Sequence, residues 1–426
     1  METNELDIFT TYESKARSYC RSYPVILEKA KGSFIYDQHG KRYLDFFSCA
    51  GALNYGHNNS VVTEPLIEYL SGDGILMSLD LHTQAKRSFI EDFQNHILKK
   101  RHLDYKMQFT SPSGTSVVES AIKLARKVTK REVVVAFTNG FHGMSGTALS
   151  VTGNRYHRQN VSYGNVFRIP FDGYLGDQLD TMDYFQNLLE DPSSGLDLPA
   201  AVIIETIQGE GGVNVASVPW LRRLRELTSQ HGIMLIVDDI QAGCGRSGEF
   251  FSFERAGIKP DLVCLSKSLS GSGLPFAMLL LTPEIDEWSP GEDNGTFRGN
   301  NLAFVSASAV IKHYWMDEEF QLQLQAKAQQ VSNTLNILVQ DYPQLFKQVK
   351  GIGLFQGIEC YCGAFSAAIT KSCFELGLLI ETSGAHGQVI KLMPALTITK
   401  QELQEGLGLL NRAVAATVPS VEYESA

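Results

Sequence analysis

A lysine that directly follows an apolar run is the residue of this sequence best suited to covalent chemistry. Lys267 comes after residues 261–266 and before the small, glycine-rich stretch SLSGSGLP. Partial burial at the end of a strand disfavours the charged amine, which lowers its pKa and frees it as a nucleophile. Most lysines at strand ends are simply solvated, so Lys267 indicates chemistry only in combination with other residues.

Two adjacent carboxylates, Asp238 and Asp239, end another apolar run, residues 233–237. An apolar strand that ends in acidic residues places at least one carboxylate at the edge where open α/β sheets bind ligands. Adjacent acids also occur in metal sites and solvated loops. Because no histidine or further carboxylate follows at ligand spacing, we expect no metal here.

Two further segments could hold a flat, negatively charged molecule. In MQFTSPSGTSVVE, Gly114 and Thr115 lie in a turn just before a helix, whose free N–H groups and dipole attract anions. In TNGFHG, Phe141 follows a strand and could stack on a planar ring. A helix cap and a core aromatic are the alternative interpretations. Pyridoxal 5′-phosphate (PLP) requires this combination of features: an anion-binding site, an aromatic ring, a carboxylate and a nucleophilic lysine.

An α/β architecture must position these residues. Apolar runs without alternation predict strands covered on both faces, and they occur at residues 133–138, 200–205, 233–238, 261–266 and 276–282. Residues 116–130 and 218–231 carry apolar side chains at helical spacing. This alternation predicts an α/β domain with a mostly parallel sheet over about residues 60–310.

The two ends of the chain have a different pattern. GSFIYDQHGKRYLDFF predicts a hairpin around a polar turn at residues 37–40. After Ala303, two long helical patterns precede strand-like stretches at residues 351–358, 377–381 and 388–392. We therefore predict a small α+β domain built from both ends. The predicted domain boundaries are residues 1–59 (N-terminal part of the small domain), 60–310 (large PLP-binding domain) and 311–426 (C-terminal part of the small domain).

Composition excludes several classes of function. A chain of 426 residues with 43% hydrophobic residues indicates a folded two-domain subunit, not a disordered protein. The net charge of −10 argues against nucleic-acid binding, which needs an excess of cations. Its acidic N-terminus does not resemble a signal peptide, and no apolar run approaches the roughly 20 residues that span a bilayer. Seven scattered cysteines favour reduced thiols in the cytoplasm. We expect small-molecule substrates, no nucleic acid and no membrane.

The order of these segments resembles that of the class III aminotransferases of PLP fold type I. The similarity runs from about Tyr23 to about Val414, and its most specific stretches include GALNYGHNN, FTNGFHG, AAVIIETIQGEGG, SKSLSGSGLPFA, GTFRGNNLAF and GLLIETSG. Within the class, the chain is most similar to the diaminobutyrate–2-oxoglutarate branch of ectoine biosynthesis. This resemblance implies a PLP-dependent homodimer, or an assembly of dimers, that moves an amino group from L-glutamate to L-aspartate 4-semialdehyde. The products would be L-2,4-diaminobutyrate and 2-oxoglutarate.

The resemblance also implies roles for residues at matching positions. The cofactor contacts would be Lys267 (covalent link and proton transfer), Asp238 (ring nitrogen), Gln241 (ring hydroxyl), Phe141 (ring face), Gly114 and Thr115 (phosphate) and, from the neighbouring subunit, Thr296 (phosphate). Glu210, in QGEGG, matches the movable glutamate that lets class III enzymes accept two different substrates. Glu205 would stabilise the residues that line the site.

Two positions depart from the family pattern. Lys391, in VIKLMP, stands where the class usually has an arginine for the amino donor's α-carboxylate. Met144 stands where ornithine-type members have an arginine after FHG, and Arg298 could take part in carboxylate recognition instead. Lysine holds a carboxylate as a point charge and not as a two-pronged fork, so the geometry of carboxylate binding must differ.

Several alternatives remain open from the sequence. One is another ω-aminotransferase, of ornithine, lysine or 4-aminobutyrate type, or an enzyme that supplies diaminobutyrate for a siderophore or peptide. A nucleotide-binding dehydrogenase is a second, but no G-x-G-x-x-G follows the first strand. A catalytically inactive binding protein is a third, and the retention of Lys267, Asp238 and Glu210 argues against it.

Overall fold

The computed structural model describes residues 5–159, 164–176 and 178–424. Its strands are β1 (Leu27–Lys31), β2 (Phe34–Asp37), β3 (Arg42–Asp45), β4 (Lys106–Phe109), β5 (Val134–Phe137), β6 (Val166–Ile169), β7 (Ala201–Ile204), β8 (Ile207–Gln208), β9 (Asn214–Val215), β10 (Met234–Asp238), β11 (Leu262–Leu265), β12 (Met278–Leu281), β13 (Phe346–Ile352), β14 (Phe355–Cys360), β15 (Leu378–Leu379), β16 (Glu381–Ser383) and β17 (Val389–Leu392). Right-handed α-helices cover Asp7–Tyr12, Ser60–Ser71, Gln84–Asp92, Gly114–Thr129, Gly146–Val151, Thr181–Glu190, Val218–Gln230, Asn301–Tyr314, Glu319–Asp341, Gly363–Glu375 and Lys400–Glu424.

Within the part of the chain that the structure describes, the largest sheet has seven strands in the order β4-β12-β11-β10-β7-β5-β6. β10 runs parallel to β7 and β11, and β5 runs parallel to β6 and β7. Among the described strands of this sheet, only β12 runs against the others, because it is antiparallel to both β11 and β4. The prediction of a mostly parallel central sheet is therefore confirmed.

Helices cover both faces of this sheet, which explains its uninterrupted apolar strands. The helix Gly114–Thr129 packs on one face with Ile236 of β10, while the helix Val218–Gln230 packs on the other face with Leu235 and Val237. Successive side chains of a strand point to opposite faces. The side chains of Asp238 and Asp239, which follow Val237, are therefore expected to point to opposite sides, with Asp238 on the side of Ile236.

The N-terminal sheet contains the predicted hairpin and a strand from the other end of the chain. β2 and β3 pair antiparallel around residues 37–40, as predicted, and β1 extends the sheet on one side. β15 completes it by pairing parallel to β3, with Leu378 opposite Leu44. The two ends of the chain therefore meet in one sheet. The domain boundaries themselves remain a prediction.

Two predicted strands in the C-terminal part are wrong. Residues 351–358 form a hairpin and not one strand, because the chain reverses at Gly353 between β13 and β14. Gly353 has a φ of +62°, and a Cβ there would lie 2.3 Å from the carbonyl carbon of Ser247. The stretch 377–381 is also divided, since β15 joins the N-terminal sheet whereas β16 pairs with β17.

Within the described residues, none of the helices combines the length and the apolar character needed to cross a membrane.

Candidate active site

The carboxyl ends of β5, β7, β10 and β11 and the start of the helix Gly114–Thr129 surround a cavity of about 210 Å³. Its lining residues are Gly114, Thr115, Phe141, His142, Gly143, Met144, Glu205, Glu210, Asp238, Ile240, Gln241 and Lys267. The structure thus brings together predicted site residues from segments that are far apart in the sequence. These segments meet because the parallel strands that precede them end at the same edge of the sheet.

Lys267 begins the short helix that follows β11 and has a left-handed φ of +47°. Its Nζ donates a hydrogen bond of 2.9 Å to the backbone carbonyl of Ala50. Burial lowers the pKa of Lys267, and the nearby Glu210 offsets part of this effect by favouring the charged amine. A lowered pKa increases the fraction of neutral amine, which is the nucleophilic form.

Asp238 ends β10 and is 4% exposed. His142 Nδ1 lies 2.8 Å from its Oδ2, so the imidazole holds one carboxylate oxygen. Burial alone would lower the pKa of His142, but the hydrogen bond and the charge of Asp238 outweigh burial and raise it. The sequence alone assigns no role to His142. Its place beside Phe141 in the FHG segment was the available signal.

Asp239 faces away from the cavity. Its Oδ2 accepts a 3.0 Å hydrogen bond from the backbone N–H of Ser252, and it is not among the lining residues. Burial raises its pKa to about 7. The alternation of side chains along β10 thus gives the two adjacent acids different surroundings, and only Asp238 reaches the cavity.

A buried lysine lies between two carboxylates at one side of the cavity. Lys391 of β17 is fully buried, and its Nζ lies 2.7 Å from Glu210 and 2.9 Å from Glu381. Burial opposes the charge of Glu210, but Lys391 and Lys267 outweigh burial and lower its pKa to about 2. Burial likewise opposes the charge of Lys391, and the two carboxylates outweigh it and raise the pKa of Lys391. An ion pair therefore persists at neutral pH.

Glu381 is a member of this cluster that sequence reasoning missed. It lies opposite Lys391 in the register of β16 and β17, so the strand pairing itself brings the two charges together. The signal that could have revealed it is an acid in the otherwise apolar segment GLLIETSG. Such an acid at a buried strand position needs a cationic partner.

Gln241 and Glu205 hold other parts of the site. Gln241 Nε2 donates to the carbonyl of Ala50 at 2.9 Å and to Glu210 Oε1 at 3.2 Å. Glu205 Oε2 accepts a 2.8 Å hydrogen bond from the backbone N–H of Phe141. Burial raises the pKa of Glu205 to about 7, and the charge of His142 works against this rise. Glu205 thus fixes the backbone that carries the aromatic ring.

The residues in the cavity fit the chemical groups of PLP. Lys267 offers an amine for the aldehyde, Asp238 offers a carboxylate for the ring nitrogen, and Phe141 offers an aromatic surface. Gly114 and Thr115 bring a helix N-terminus, which suits a phosphate. A Cβ on Gly114 would lie 3.2 Å from Ile240 Cδ1, so the absence of a side chain lets the helix start approach the cavity closely.

The comparison with known families agrees with this arrangement. The family model described as "Aminotransferase class-III" matches residues 16–414. The chain is a class-III aminotransferase. Its cofactor is PLP, which this family uses.

Relatives of this aminotransferase share about half of its residues over nearly the full length. A diaminobutyrate–2-oxoglutarate transaminase from Vibrio cholerae is 53% identical and covers 96% of this chain and all of the relative. Proteins of the same name from Halalkalibacterium halodurans and Streptomyces avermitilis are 49% and 52% identical and cover 99% and 97% of this chain, and 99% and 98% of their own.

Solved structures share the fold at lower identity. The ornithine aminotransferase of Toxoplasma gondii has a TM-score of 0.83 at 23% identity and covers 97% of this chain and 95% of its own. An S-selective transaminase from Arthrobacter sp. has a TM-score of 0.84 at 22% identity and covers 96% and 97%. These two matches show the fold of the aminotransferase. The expected PLP fold type I is confirmed.

Three predicted residues, Lys391, Thr296 and Arg298, do not line the cavity of their own chain, and Lys391 is connected to it through its ion pair with Glu210. Thr296 is exposed, and Arg298 donates to the carbonyl of Asp293 at 3.0 Å and pairs with Asp80. The contact predicted for Thr296 needs a second subunit and remains a prediction. Arg298 is engaged by an acid outside the cavity, and its role in carboxylate recognition also remains a prediction.

Proposed function

We propose that this aminotransferase transfers the amino group of L-glutamate to L-aspartate 4-semialdehyde, which gives L-2,4-diaminobutyrate and 2-oxoglutarate. The observation that carries this proposal is the buried Lys391, paired with Glu210 at the edge of the cavity that contains Lys267. This pair can give one cavity two electrostatic states. The Vibrio cholerae and Halalkalibacterium halodurans relatives are named diaminobutyrate–2-oxoglutarate transaminases, which supports the choice of substrates.

Each of the functional residues in the cavity would have a separate role toward the cofactor. When bound, PLP supplies an electron sink that weakens the Cα–H bond of an amino acid. Nζ of Lys267 would attach to the cofactor and, once free, remove and return the substrate proton. The Asp238 carboxylate, held by His142, would keep a proton on the ring nitrogen. Phe141 would cover one face of the ring and exclude water from it.

The two substrates make opposite demands on charge near the reacting carbon. Glutamate reacts at the carbon that bears its α-carboxylate, and this anion needs a nearby cation. Diaminobutyrate reacts at its γ-amine, and its α-amino acid end is distant. Glu210 could cover the charge of Lys391 for diaminobutyrate and move aside for glutamate. The 2.7 Å contact between them corresponds to the covered state.

Glu381 gives this switch a second component. When Glu210 moves aside, Lys391 keeps its partner Glu381 at 2.9 Å. The lysine therefore stays charged while it is buried, because one carboxylate always compensates it. Its attraction for a substrate carboxylate is correspondingly weaker than that of an uncompensated cation.

Replacing Glu210 by alanine is expected to affect the two half-reactions differently. The glutamate half-reaction should stay nearly unchanged or become faster, since Lys391 is no longer covered. The diaminobutyrate half-reaction should become slower by about 10- to 100-fold, because a cation is left beside an uncharged part of the substrate. Single-turnover kinetics followed through the absorbance of the cofactor would measure both rates.

Lys391→Ala should have the reverse effect and cost roughly 2–4 kcal/mol of glutamate transition-state binding. This variant leaves Glu381 buried without a partner, so the double variant Lys391→Met/Glu381→Gln is the matched control that removes both charges. The control should lose glutamate activity to a similar extent with less loss of stability. Equal losses in both half-reactions for Glu210→Ala would show that Glu210 is structural and that the switch lies elsewhere.

The assembly and the location are further parts of the proposal. We infer a homodimer in which Thr296 of one subunit reaches the phosphate site of the other. Thr296 is exposed in the single chain, and a residue that contacts a second subunit has to be exposed in this way. We also infer a cytoplasmic enzyme. All seven cysteines are free in the structure, which agrees with a reducing compartment.

A second candidate is another ω-aminotransferase, and the side chain of Met144 separates it from our proposal. Met144 lines the cavity and is 51% exposed, but its thioether cannot pair with the α-carboxylate of ornithine. A panel of aldehydes supplied with L-glutamate would test the choice. We expect the highest kcat/KM with L-aspartate 4-semialdehyde. A preference for glutamate or succinate semialdehyde would favour the second candidate.

A further inference from the structure

Residues Ser48–Gly51 form one turn of helix with left-handed backbone angles. Their φ values are +46°, +52°, +56° and +84°, and only the last residue is a glycine. Consecutive L-residues in this conformation are unfavourable because each Cβ approaches the following carbonyl oxygen. Such a turn persists only where surrounding contacts enforce it, and it commonly serves a functional site.

Asp45 and Ser48 hold the beginning of this left-handed turn. The Oδ1 atom of Asp45 accepts hydrogen bonds of 2.8 Å from the backbone N–H groups of both Phe47 and Ser48. Its other oxygen, Oδ2, lies 2.7 Å from Nε2 of His57. Ser48 Oγ donates a 2.7 Å hydrogen bond to the carbonyl of Met393. Asp45 and Ser48 are each 2% exposed, so little water competes for these contacts.

The end of the turn is tied to the residue that follows the reactive lysine. Ser268 Oγ donates to the carbonyl of Gly51 at 2.7 Å and accepts from the backbone N–H of Asn54 at 3.0 Å. Ser268 is 3% exposed and is the next residue after Lys267. The turn and the lysine are therefore fixed relative to each other by a buried hydroxyl.

The turn places one backbone carbonyl oxygen, that of Ala50, beside the side chains of Lys267 and Gln241. The Ala50 carbonyl accepts from Lys267 Nζ and from Gln241 Nε2, each at 2.9 Å. The direction of a backbone carbonyl depends on the handedness of its turn. A right-handed turn through the same residues would direct this oxygen elsewhere. The left-handed conformation is thus the feature that aligns Ala50 with the amine.

We propose that the left-handed turn Ser48–Gly51 positions the amine of Lys267 through the Ala50 carbonyl, and that Asp45 is the positioning residue that maintains the turn. The Ala50 carbonyl fixes the position of the Lys267 amine whenever the amine is not covalently bound. The amine is then correctly placed for proton transfer. The inference rests on the proposed function only in taking Lys267 as the reactive amine. Glu210, Glu381, Asp238 and Lys391 also act on this amine by charge, whereas the hydrogen bond that its Nζ donates goes to the Ala50 carbonyl.

Asp45→Ala in the full-length enzyme tests the proposal, with Asp37→Ala as the matched control. Asp37 is 5% exposed, and its Oδ1 also accepts from two backbone N–H groups, those of His39 and Lys41, in the hairpin turn between β2 and β3. It does not line the cavity. The control therefore removes similar contacts from the same sheet without touching the left-handed turn.

Two quantities should change in Asp45→Ala and not in Asp37→Ala. At saturating glutamate, the single-turnover rate should fall by about 10- to 100-fold, while the half-saturating concentration should change by less than about threefold, because the amine and not the substrate is misplaced. In the cofactor-free chain, trinitrobenzenesulfonate should label Lys267 about 3- to 10-fold faster, since the amine has lost an acceptor that favours its protonated form. Peptide mapping would identify the labelled lysine.

Two more variants keep the proposal falsifiable. Asp45→Asn retains an oxygen acceptor for the two N–H groups and should restore the rate to within about threefold of wild type. Ser48→Ala removes only a hydroxyl, so it should fold even if Asp45→Ala does not, and it should shift both quantities in the same direction. Wild-type rates and labelling in Ser48→Ala and in any folded Asp45→Ala, or equal effects in Asp37→Ala, would overturn the proposal. Faster labelling of Lys267 in an enzyme that never accepts glutamate would uphold it and refute the proposed function instead.

Discussion

Replacing Lys267 by alanine is expected to abolish turnover while PLP still binds through its phosphate. The expected loss is at least about 10⁴-fold, because both the covalent attachment and the proton transfer depend on one amine. Lys391 cannot replace it, since its Nζ lies between Glu210 and Glu381 and its pKa is raised by these two carboxylates against the effect of burial. An amine held in its charged form is a poor nucleophile.

Borohydride reduction of the holoenzyme followed by peptide mapping is the measurement for this prediction. The reduced cofactor should be found on Lys267 in the wild type and on no peptide in Lys267→Ala. Lys327→Ala is a suitable control, because burial lowers the pKa of Lys327 to about 8 although it lies outside the cavity. A label on Lys327 or on any other lysine of the wild type would refute the assignment.

Asp238→Asn is the second change with a large expected effect. A neutral amide in place of the carboxylate would no longer favour a protonated ring nitrogen, and it would also weaken the contact with His142. We expect the glutamate half-reaction to become slower by about three orders of magnitude or more, because the electron sink depends on that proton. Stopped-flow absorbance with glutamate alone would measure this rate.

Asp239→Asn is the matched control for Asp238→Asn, because it makes the same chemical change one residue away and outside the cavity. It should leave the half-reaction within about threefold of wild type. A larger loss in Asp239→Asn than in Asp238→Asn would show that the assignment of the two acids is reversed.

The control also has an expected dependence on pH. The pKa of Asp239 rises to about 7 on folding because of burial, so the folded chain loses stability as pH rises from about 4 to 7. Asparagine does not ionise. Asp239→Asn should therefore gain on the order of a few kcal/mol over wild type between pH 5 and pH 8. Thermal unfolding at both pH values would measure the difference.

Much of the seven-stranded sheet could be predicted because helices cover its strands on both faces. Uninterrupted apolar runs such as the one before Asp238 have few alternative structures, and residues at the ends of parallel strands must meet at one edge. This is why Lys267, Asp238 and Phe141 could be expected in one place. The strand 351–358 was predicted wrongly because the reversal at Gly353 is too short to interrupt the apolar pattern.

Features that depend on contacts between distant segments could not be predicted. The pairing of Lys391 with Glu381 follows from the register of β16 and β17, which a sequence pattern does not specify. Cys49 and Ala50 adopt left-handed angles although neither residue type favours them. Their conformation is held by Asp45, three residues before the turn begins, and by Met393 and Ser268, which lie more than 200 residues away in the chain.

The position of the transferred nitrogen is the most direct test of the proposed reaction. The enzyme would be supplied with ¹⁵N-labelled L-glutamate and an equimolar mixture of L-aspartate 4-semialdehyde, glutamate semialdehyde and succinate semialdehyde, and the products would be analysed by NMR and mass spectrometry. We predict that the label appears mainly at the γ-nitrogen of L-2,4-diaminobutyrate, with 2-oxoglutarate formed in equal amount. Label found mainly in ornithine or 4-aminobutyrate would contradict the proposed function.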